Sequence, residues 1–119
     1  MGKTSRISGF YKLSMEKRLE VVRDYANLTA EETALLKTSS SLPLNIADRM
    51  IENVVSVFPV PLGIATNFLI NGKDYLVPMA IEEPSVVAAA SNAAKMARTK
   101  GGFTASSTES IMIGQIQAV

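Results

Sequence analysis

Two adjacent carboxylates, Glu82 and Glu83, are the residues of this sequence best placed for acid chemistry. They lie between an apolar run that ends at Ala80 and an alanine-rich run that begins at Val86. The first run is typical of a strand and the second of a helix. Pro84 suits a first helical turn, because its missing N–H would have no partner there. Acids at a helix start often only complement the helix dipole, so the position alone leaves a structural and a catalytic interpretation open.

Other acid or nucleophile chemistry is narrowly limited, because the 119 residues contain no histidine and no cysteine. That excludes imidazole catalysis, thiolate nucleophiles, disulfides and thiolate metal sites within this chain. The hydroxyl-rich stretch 104–110 is predicted to be a loop or strand edge, since no histidine is present to activate a serine. Carboxylate, hydroxyl and lysine chemistry remain, and we expect no bound metal.

The composition indicates one small domain with a single core. Hydrophobic residues make up 47% and charged residues 19% of the chain, which is ordinary for a globular protein. A net charge of +1 and only 6% aromatic residues argue against binding to nucleic acid. The sequence shows neither a signal peptide nor an apolar run of about 18 residues, the length needed to span a bilayer. We therefore expect a cytoplasmic protein that binds no membrane.

Three short helices are predicted in the first half of the chain. Ser14 is a candidate N-cap for the first, and Thr29 with Glu32 forms the capping box that opens the second. A third helical pattern follows Pro43. Its apolar stripe comprises Ala47, Met50, Ile51, Val54 and Phe58.

A hairpin is predicted next, because two apolar runs, Ile64 to Ile70 and Lys73 to Ala80, flank Asn71-Gly72, a pair that favours a type I′ turn. The alanine-rich helix that follows presents a stripe of small residues suited to close packing. Arg98 is expected to complement the dipole at its end, and Gly101-Gly102 to stop it in the left-handed conformation. The segment 111–119 is predicted to be a strand interrupted at Gly114.

Five segments in this order resemble class II 3-hydroxy-3-methylglutaryl-coenzyme A reductases over nearly the whole chain. They are Leu42-Pro-Leu-Asn-Ile-Ala47, Ile51-Glu-Asn-Val-Val55, Asn67-Phe-Leu-Ile-Asn-Gly-Lys-Asp74, the block VPMAIEEPSVVAAAS at 77–91, and Gly101-Gly-Phe-Thr104. The resemblance implies that Glu83 is the catalytic glutamate and that Ser85 contacts the hydroxymethylglutaryl part of the substrate. It also implies that Glu52 and Asn53 belong to a dimer-interface motif. Ser56 stands where glycine is usual in that motif, and a β-carbon there would hinder a close backbone approach.

The reaction that the resemblance implies is the reduction of 3-hydroxy-3-methylglutaryl-coenzyme A to mevalonate and coenzyme A by two NADH or NADPH. In the family, the glutamate works with a lysine, an aspartate and a histidine, which belong to later segments. The nicotinamide site is likewise expected outside these residues, so we predict that the 119-residue chain alone is inactive. A different possibility stays open: a non-catalytic binding or assembly module that completes a site in trans.

Physical chemistry sets a condition on Glu83 as a proton donor. A carboxyl group that donates near neutral pH requires burial or a neighbouring negative charge, such as that of Glu82. A helix start favours the ionised form instead. We therefore expect the acid form only in the dry site of the complete enzyme.

The predicted fold class is α+β: short N-terminal helices, a β-hairpin, a packed alanine-rich helix and a C-terminal strand, forming part of the large domain of such a reductase. Residues 1–13 form a basic arm, 14–110 the N-terminal part of the substrate-binding domain, and 111–119 the start of the segment leading to a cofactor-binding domain. The C-terminus is expected to be a cut within a longer chain. The arm either contacts phosphates of a ligand such as coenzyme A or is a solvated terminus. Exposed apolar faces of a partial domain also favour a homo-oligomer.

Overall fold

The computed structural model describes residues 3–38, 42–114 and 116–117, and the chain has an α+β architecture, as predicted. After a single 3-10 turn at Phe10–Lys12, the elements follow in a simple order. They are α1 (Met15–Ala26), α2 (Ala30–Lys37), α3 (Leu44–Ala47), β1 (Leu62–Ile70), β2 (Lys73–Ala80) and α4 (Val86–Arg98). No helix within these ranges is long and apolar enough to cross a membrane.

Local capping signals correctly predicted the starts of α1 and α2. The Ser14 hydroxyl accepts a hydrogen bond from the Lys17 N–H at 3.3 Å. At α2, the Thr29 hydroxyl accepts from the Glu32 N–H at 3.1 Å, and the Glu32 carboxylate accepts from the Thr29 N–H at 2.8 Å. These bonds satisfy donors that a helix start otherwise leaves unpaired.

The prediction of a long third helix after Pro43 is wrong. α3 ends at Ala47 after one turn, and turns follow up to Asn53, whose φ of 58° is left-handed. Ala47 is buried, but Met50, Ile51 and Phe58 are 65%, 66% and 86% exposed, so the predicted stripe beyond Ala47 has little surface to pack against in the described structure. A short amphipathic helix depends on such packing, and without it the helical pattern does not continue.

β1 and β2 form the predicted antiparallel hairpin. Asn71 and Gly72 both have positive φ, 49° and 75°, as a type I′ turn requires. The register shifts between Ala65 and Phe68, where β1 contains a bulge. A bulge increases the local twist and redirects side chains, which matters for the contacts with α4 described below.

α4 packs on β1 through part of the predicted alanine stripe, whose members Ala89 and Ala93 are exposed. Ala65 on β1 and Ala94 on α4 are fully buried. Gly63 lies against Val87, and a β-carbon built on this glycine would lie 3.1 Å from Val87 Cγ2. The absence of a side chain at position 63 therefore allows the helix to approach the strand closely.

Two expectations about the ends of α4 need correction. Pro84 precedes the helix instead of occupying its first turn, because the N-cap is Ser85. Arg98 does not simply complement the dipole: its guanidinium binds the Asp74 carboxylate of β2. An ion pair of this kind depends on the tertiary fold, which local helix signals do not contain.

The predicted glycine stop is confirmed, since Gly101 and Gly102 have φ of 96° and 84°. The chain then returns to β1, where the Phe103 N–H donates to the Leu69 carbonyl at 2.8 Å. The Phe103 ring stacks on Phe68 with 5.7 Å between centroids. Residue 103 thus extends the sheet edge by one parallel bridge.

The predicted C-terminal strand is wrong for its described residues, 111–114 and 116–117, which have no strand assignment. Ile111, Met112, Ile113 and Ile116 are all exposed. A strand needs a neighbouring strand for its backbone hydrogen bonds, and the described part of the chain offers none to this segment.

Candidate functional site

An open cavity lies between the N-terminal arm, the start of β1, the turn 81–85 and one face of α4, and we call it the arm groove. Its volume is about 930 Å³, within the usual range of small-molecule sites. The arm and α1 contribute residues 6–12 and Arg18, and the β1 side contributes 61–64, Thr66 and Asn67. The turn and α4 contribute Ile81, Glu83, Ser85, Val87, Ala88, Ser91, Asn92 and Lys95.

The groove separates the two adjacent carboxylates of the sequence, because Glu83 lines it and Glu82 does not. The turn that holds Glu83 is fixed at its start, where the Ile81 N–H donates to the Pro61 carbonyl at 3.1 Å. Both glutamates are exposed in this chain. The backbone conformation of the turn therefore determines which carboxylate faces the groove. The sequence pattern alone did not distinguish the two glutamates.

Ser85 lies in the same groove with a backbone that is unusual for serine. Its φ of 71° and ψ of −13° are left-handed. Such a conformation costs a residue with a β-carbon about 1–2 kcal/mol, so the surrounding structure must hold it in place. The side chain makes no capping hydrogen bond to α4, although Ser85 is the N-cap. Its hydroxyl is thus available to a ligand beside Glu83.

One face of α4 completes the groove, and sequence analysis missed it. Ala88, Ser91, Asn92 and Lys95 recur at helical spacing and all line the cavity. The same spacing is visible in the sequence, on a face of the helix beside the one that packs on β1. Attention to the polar stripe, and not only to the alanine stripe, would have identified these residues.

The wall of the groove is strongly cationic. Arg6, Lys12, Arg18 and Lys95 line it, whereas Glu83 is the only carboxylate among the described lining residues. Guanidinium and ammonium groups are the side chains that bind phosphate and carboxylate groups. This arrangement favours an anionic ligand.

The bulge in β1 connects the hairpin to α4. The Thr66 N–H donates to the Ser91 hydroxyl at 3.1 Å, and the Asn67 amide donates to the Ser91 carbonyl at 3.1 Å. The Ser91 hydroxyl in turn donates to the Val87 carbonyl at 2.8 Å. These bonds fix the lining face of α4 relative to the strand.

A second polar group, outside the groove, joins the arm to the hairpin and α4. We call Ser5, Asp74 and Arg98 the Asp74 cluster. Arg98 donates from Nη1 to Asp74 Oδ1 at 2.7 Å and from Nη2 to Oδ2 at 3.3 Å. Ser5 is fully buried, and its N–H and hydroxyl donate to Asp74 Oδ1 at 2.9 and 2.7 Å. Sequence analysis missed this cluster, which no local motif signals.

The cluster strongly favours the ionised carboxylate. The hydrogen bond from Arg98 and those from Ser5 hold the pKa of Asp74 well below its ordinary range, although partial burial acts in the opposite direction. The same pairing raises the pKa of Arg98. Burial, with the Asp74 charge added, also raises the pKa of Tyr25, whose hydroxyl donates to the Asp74 carbonyl at 2.8 Å.

We predict that part of the stability of the protein is lost as the pH falls below about 4, the ordinary pKa of an unfolded aspartate. A depressed folded-state pKa contributes stability above the unfolded value and loses it progressively at lower pH. The free energy of unfolding, measured by urea denaturation of the intact gene product at pH 6 and pH 3, should therefore fall less for Asp74→Asn than for the wild type. Asp48→Asn, an exposed carboxylate, should keep the wild-type difference. Equal pH differences in wild type and Asp74→Asn would contradict the prediction.

Glu52 and Asn53 lie away from the groove. They occupy an exposed turn after α3, and Asn53 has a left-handed φ of 58°. Neither residue lines the cavity. Their role at a subunit interface stays a prediction.

Comparison with known proteins gives a consistent set of relatives. Residues 14–119 match the family model described as Hydroxymethylglutaryl-coenzyme A reductase. The 3-hydroxy-3-methylglutaryl-coenzyme A reductase of Archaeoglobus fulgidus is 68% identical over 114 residues, covering 96% of this chain and 26% of that protein. A probable reductase of Borreliella burgdorferi is 37% identical over 86 residues, covering 72% of this chain and 19% of that protein.

A solved structure shares the fold. The class II 3-hydroxy-3-methylglutaryl-CoA reductase of Streptococcus pneumoniae, bound to NADPH, superimposes with a TM-score of 0.74 at 43% identity. The match covers 82% of this chain and 26% of that one. The chain thus spans about a quarter of the length of this structure and of the archaeal relative.

Proposed function

The chain belongs to the hydroxymethylglutaryl-coenzyme A reductase family, and on that basis we propose that it forms part of the substrate site of an enzyme that reduces 3-hydroxy-3-methylglutaryl-coenzyme A to mevalonate. The first hydride adds to the thioester carbonyl carbon, the carbon–sulfur bond then breaks, and the coenzyme A thiolate takes up a proton. The second hydride adds to the resulting aldehyde carbon, and a second proton goes to its oxygen to give the alcohol. Two NADH or NADPH are oxidised for each coenzyme A released.

The observation that carries this proposal is that Glu83 and Ser85 line one groove while Glu82 does not. In the proposed complex, Glu83 hydrogen-bonds the thioester oxygen and supplies a proton as negative charge develops there. The free hydroxyl of Ser85 contacts the hydroxymethylglutaryl group. Both roles follow the family resemblance and agree with the geometry of the turn.

The cationic wall fits the remainder of such a substrate. Coenzyme A carries phosphate groups at the end distant from the thioester, and Arg6, Lys12, Arg18 and Lys95 provide cations around the groove. We propose that these four side chains bind the nucleotide end of the thioester. The basic arm thereby belongs to the substrate site.

The nicotinamide cofactor, which supplies the hydride, does not fit the described residues. A dinucleotide fold binds pyrophosphate at a glycine-rich turn between a strand and a helix. The turn that opens α4 contains Glu83 and Pro84 in place of glycines, and Gly101-Gly102 follows a helix instead of preceding one. We propose that the cofactor, and the lysine, aspartate and histidine of the family, are contributed from outside these 119 residues.

We also propose that the enzyme is a homo-oligomer whose interface includes the turn with Glu52 and Asn53. The neighbouring apolar side chains Ile51, Val55 and Phe58 are 66%, 93% and 86% exposed. Apolar surface of this kind is usually covered by another part of an assembly. In this proposal the N-terminal arm comprises residues 1–13, and the piece of the substrate-binding domain comprises 14–110. Residues 111–119 begin the segment that leads into the cofactor-binding domain.

The proposed function is tested by incubating the intact gene product with the thioester and either NADH or NADPH. We expect thioester-dependent oxidation of two nicotinamides for each free thiol released, and no rate from the 119-residue chain alone. An intact gene product that is inactive with both cofactors would overturn the proposed activity. A clear rate from the 119 residues would overturn the placement of the remaining catalytic groups.

A further inference from the structure

The Asp74 cluster lies next to the groove in sequence but not in its lining. Arg6 is the first arm residue that lines the groove, and the fully buried Ser5 immediately precedes it. Asp74 and Arg98 are not among the lining residues. The arm therefore connects the cluster to the groove.

The arm is held at this point on several sides. The N–H and hydroxyl of Ser5 donate to Asp74 Oδ1, and the hydroxyl oxygen also lies 2.9 Å from the Phe68 carbonyl oxygen, an alternative acceptor for its single proton. The Ser5 carbonyl accepts from the Asn67 N–H in the β1 bulge at 3.0 Å. All three polar groups of Ser5 are thus bound to the hairpin.

The carboxylate that receives Ser5 is itself fixed by α4. Arg98 holds it with two hydrogen bonds in a fork, and both side chains are only 20% exposed. A bidentate pair of this kind sets orientation as well as distance. The helix that carries the groove residue Lys95 therefore also carries the group that orients the anchor of the arm.

We propose that Asp74 is a positioning residue that holds the arm, and with it Arg6 and Lys12, against the groove face of α4. This inference rests on the proposed function, and it assigns a role in substrate binding to a carboxylate that does not contact the substrate. Without the anchor, the arm occupies the binding position for only a fraction of the time. The apparent affinity for the nucleotide end of the substrate falls in proportion to that fraction.

Chemistry at the thioester does not depend on this anchor. Glu83 lies on the turn between β2 and α4, which is held by the Ile81 to Pro61 hydrogen bond and by the packing of α4 on β1. Once the substrate is bound, Glu83 and Ser85 meet it as in the wild type. The loss of the anchor should therefore raise KM and leave kcat nearly unchanged.

The test uses steady-state kinetics of the intact gene product with 3-hydroxy-3-methylglutaryl-coenzyme A. For Asp74→Asn we expect KM to rise about 5- to 20-fold, corresponding to an arm in place for a few per cent to a fifth of the time, with kcat within about twofold. Hydrogen exchange of the amides of residues 5–7 should accelerate, while that of β1 and α4 should not. Asp48→Asn makes the same charge change at an exposed site and should alter neither readout.

Two further variants cover the case in which Asp74→Asn does not fold. Ser5→Ala keeps the Asp74–Arg98 pair and removes only the hydroxyl of the arm, so a smaller rise in KM of about threefold is expected. Arg98→Lys keeps the positive charge but loses the bidentate hydrogen bonding to Asp74. Its rise in KM should lie between those of Ser5→Ala and Asp74→Asn. These variants give the same kinetic signature if the anchor positions the arm.

Each outcome decides the proposal. The proposal is overturned if the Asp74→Asn protein folds and its KM is unchanged. It is also overturned if kcat falls and hydrogen exchange accelerates throughout the domain, because that result indicates general destabilisation. If Asp74→Asn is unfolded, an unchanged KM in both other variants overturns it. Failure of the proposed function is recognised separately, because the wild-type protein then shows no thioester-dependent oxidation, and the positioning role fails with it.

Discussion

Replacing Glu83 by glutamine in the intact gene product is expected to reduce kcat by about 10²- to 10⁴-fold, the usual contribution of a positioned general acid. Glutamine has nearly the same shape, so the groove and the exposed turn should keep their structure. It cannot supply a proton to the developing oxyanion. The loss should appear in kcat of the reduction, measured by oxidation of the nicotinamide cofactor, with a smaller effect on KM.

Glu82→Gln is the matched control, because it makes the same chemical change one residue away and outside the groove lining. We expect less than about a tenfold effect, since Glu82 acts on Glu83 only through its neighbouring charge. Equal losses in the two variants would show that the turn does not select between the carboxylates. A fully active Glu83→Gln enzyme would remove Glu83 from the chemistry.

Replacing Gly102 by alanine is expected to destabilise the fold by about 3 kcal/mol or more, because strain in the backbone and overpacking act together. Its φ is 84°, and a β-carbon built at this position would clash with the Leu69 carbonyl oxygen and lie 2.9 Å from Leu69 Cβ. That oxygen accepts the hydrogen bond from the Phe103 N–H. Relief of the clash would therefore separate residue 103 from β1 and disturb its stacking on Phe68.

Gly101→Ala separates the two contributions. Gly101 has a similar φ of 96°, but a β-carbon there meets no atom within 4 Å. Only the backbone cost of about 1–2 kcal/mol is then expected. Urea denaturation of the intact gene product measures both free energies of unfolding, and indistinguishable values for the two variants would contradict the close approach at Gly102.

Features set by neighbouring residues were predictable from the sequence. The capping box at Thr29, the Asn71-Gly72 turn and the stop at Gly101-Gly102 each need a particular residue type at a particular backbone position. These signals depend on a few adjacent residues, and the structure confirms all three. The second and third of these signals, with the apolar runs beside them, predicted the hairpin and the end of the alanine-rich helix, which support the groove.

Features set by distant contacts were not predictable. The apolar stripe after Ala47 is as regular as that of a real helix, yet it lacks a packing surface and the helix ends. The segment 111–117 lacks a strand to pair with among the described residues. Arg98 was assigned to the helix dipole because its partner, Asp74, lies on another element.

In the candidate site, too, some features were predictable from the sequence and others depend on distant contacts. The resemblance directed attention to Glu83 and Ser85, and the structure places both in one groove. The contribution of the arm depends on how the N-terminus folds back onto the hairpin, which follows from the buried contacts of Ser5. Periodicity could have identified the lining face of α4, but only the tertiary structure shows what it faces.

A crystal structure of the intact gene product with bound 3-hydroxy-3-methylglutaryl-coenzyme A tests the account most directly. We predict the thioester oxygen within hydrogen-bond distance of Glu83, the hydroxymethylglutaryl group against Ser85, and the nucleotide phosphates among the cations of the arm groove. A thioester bound outside this groove, or bound within it with Glu83 turned away, would contradict the proposed substrate site.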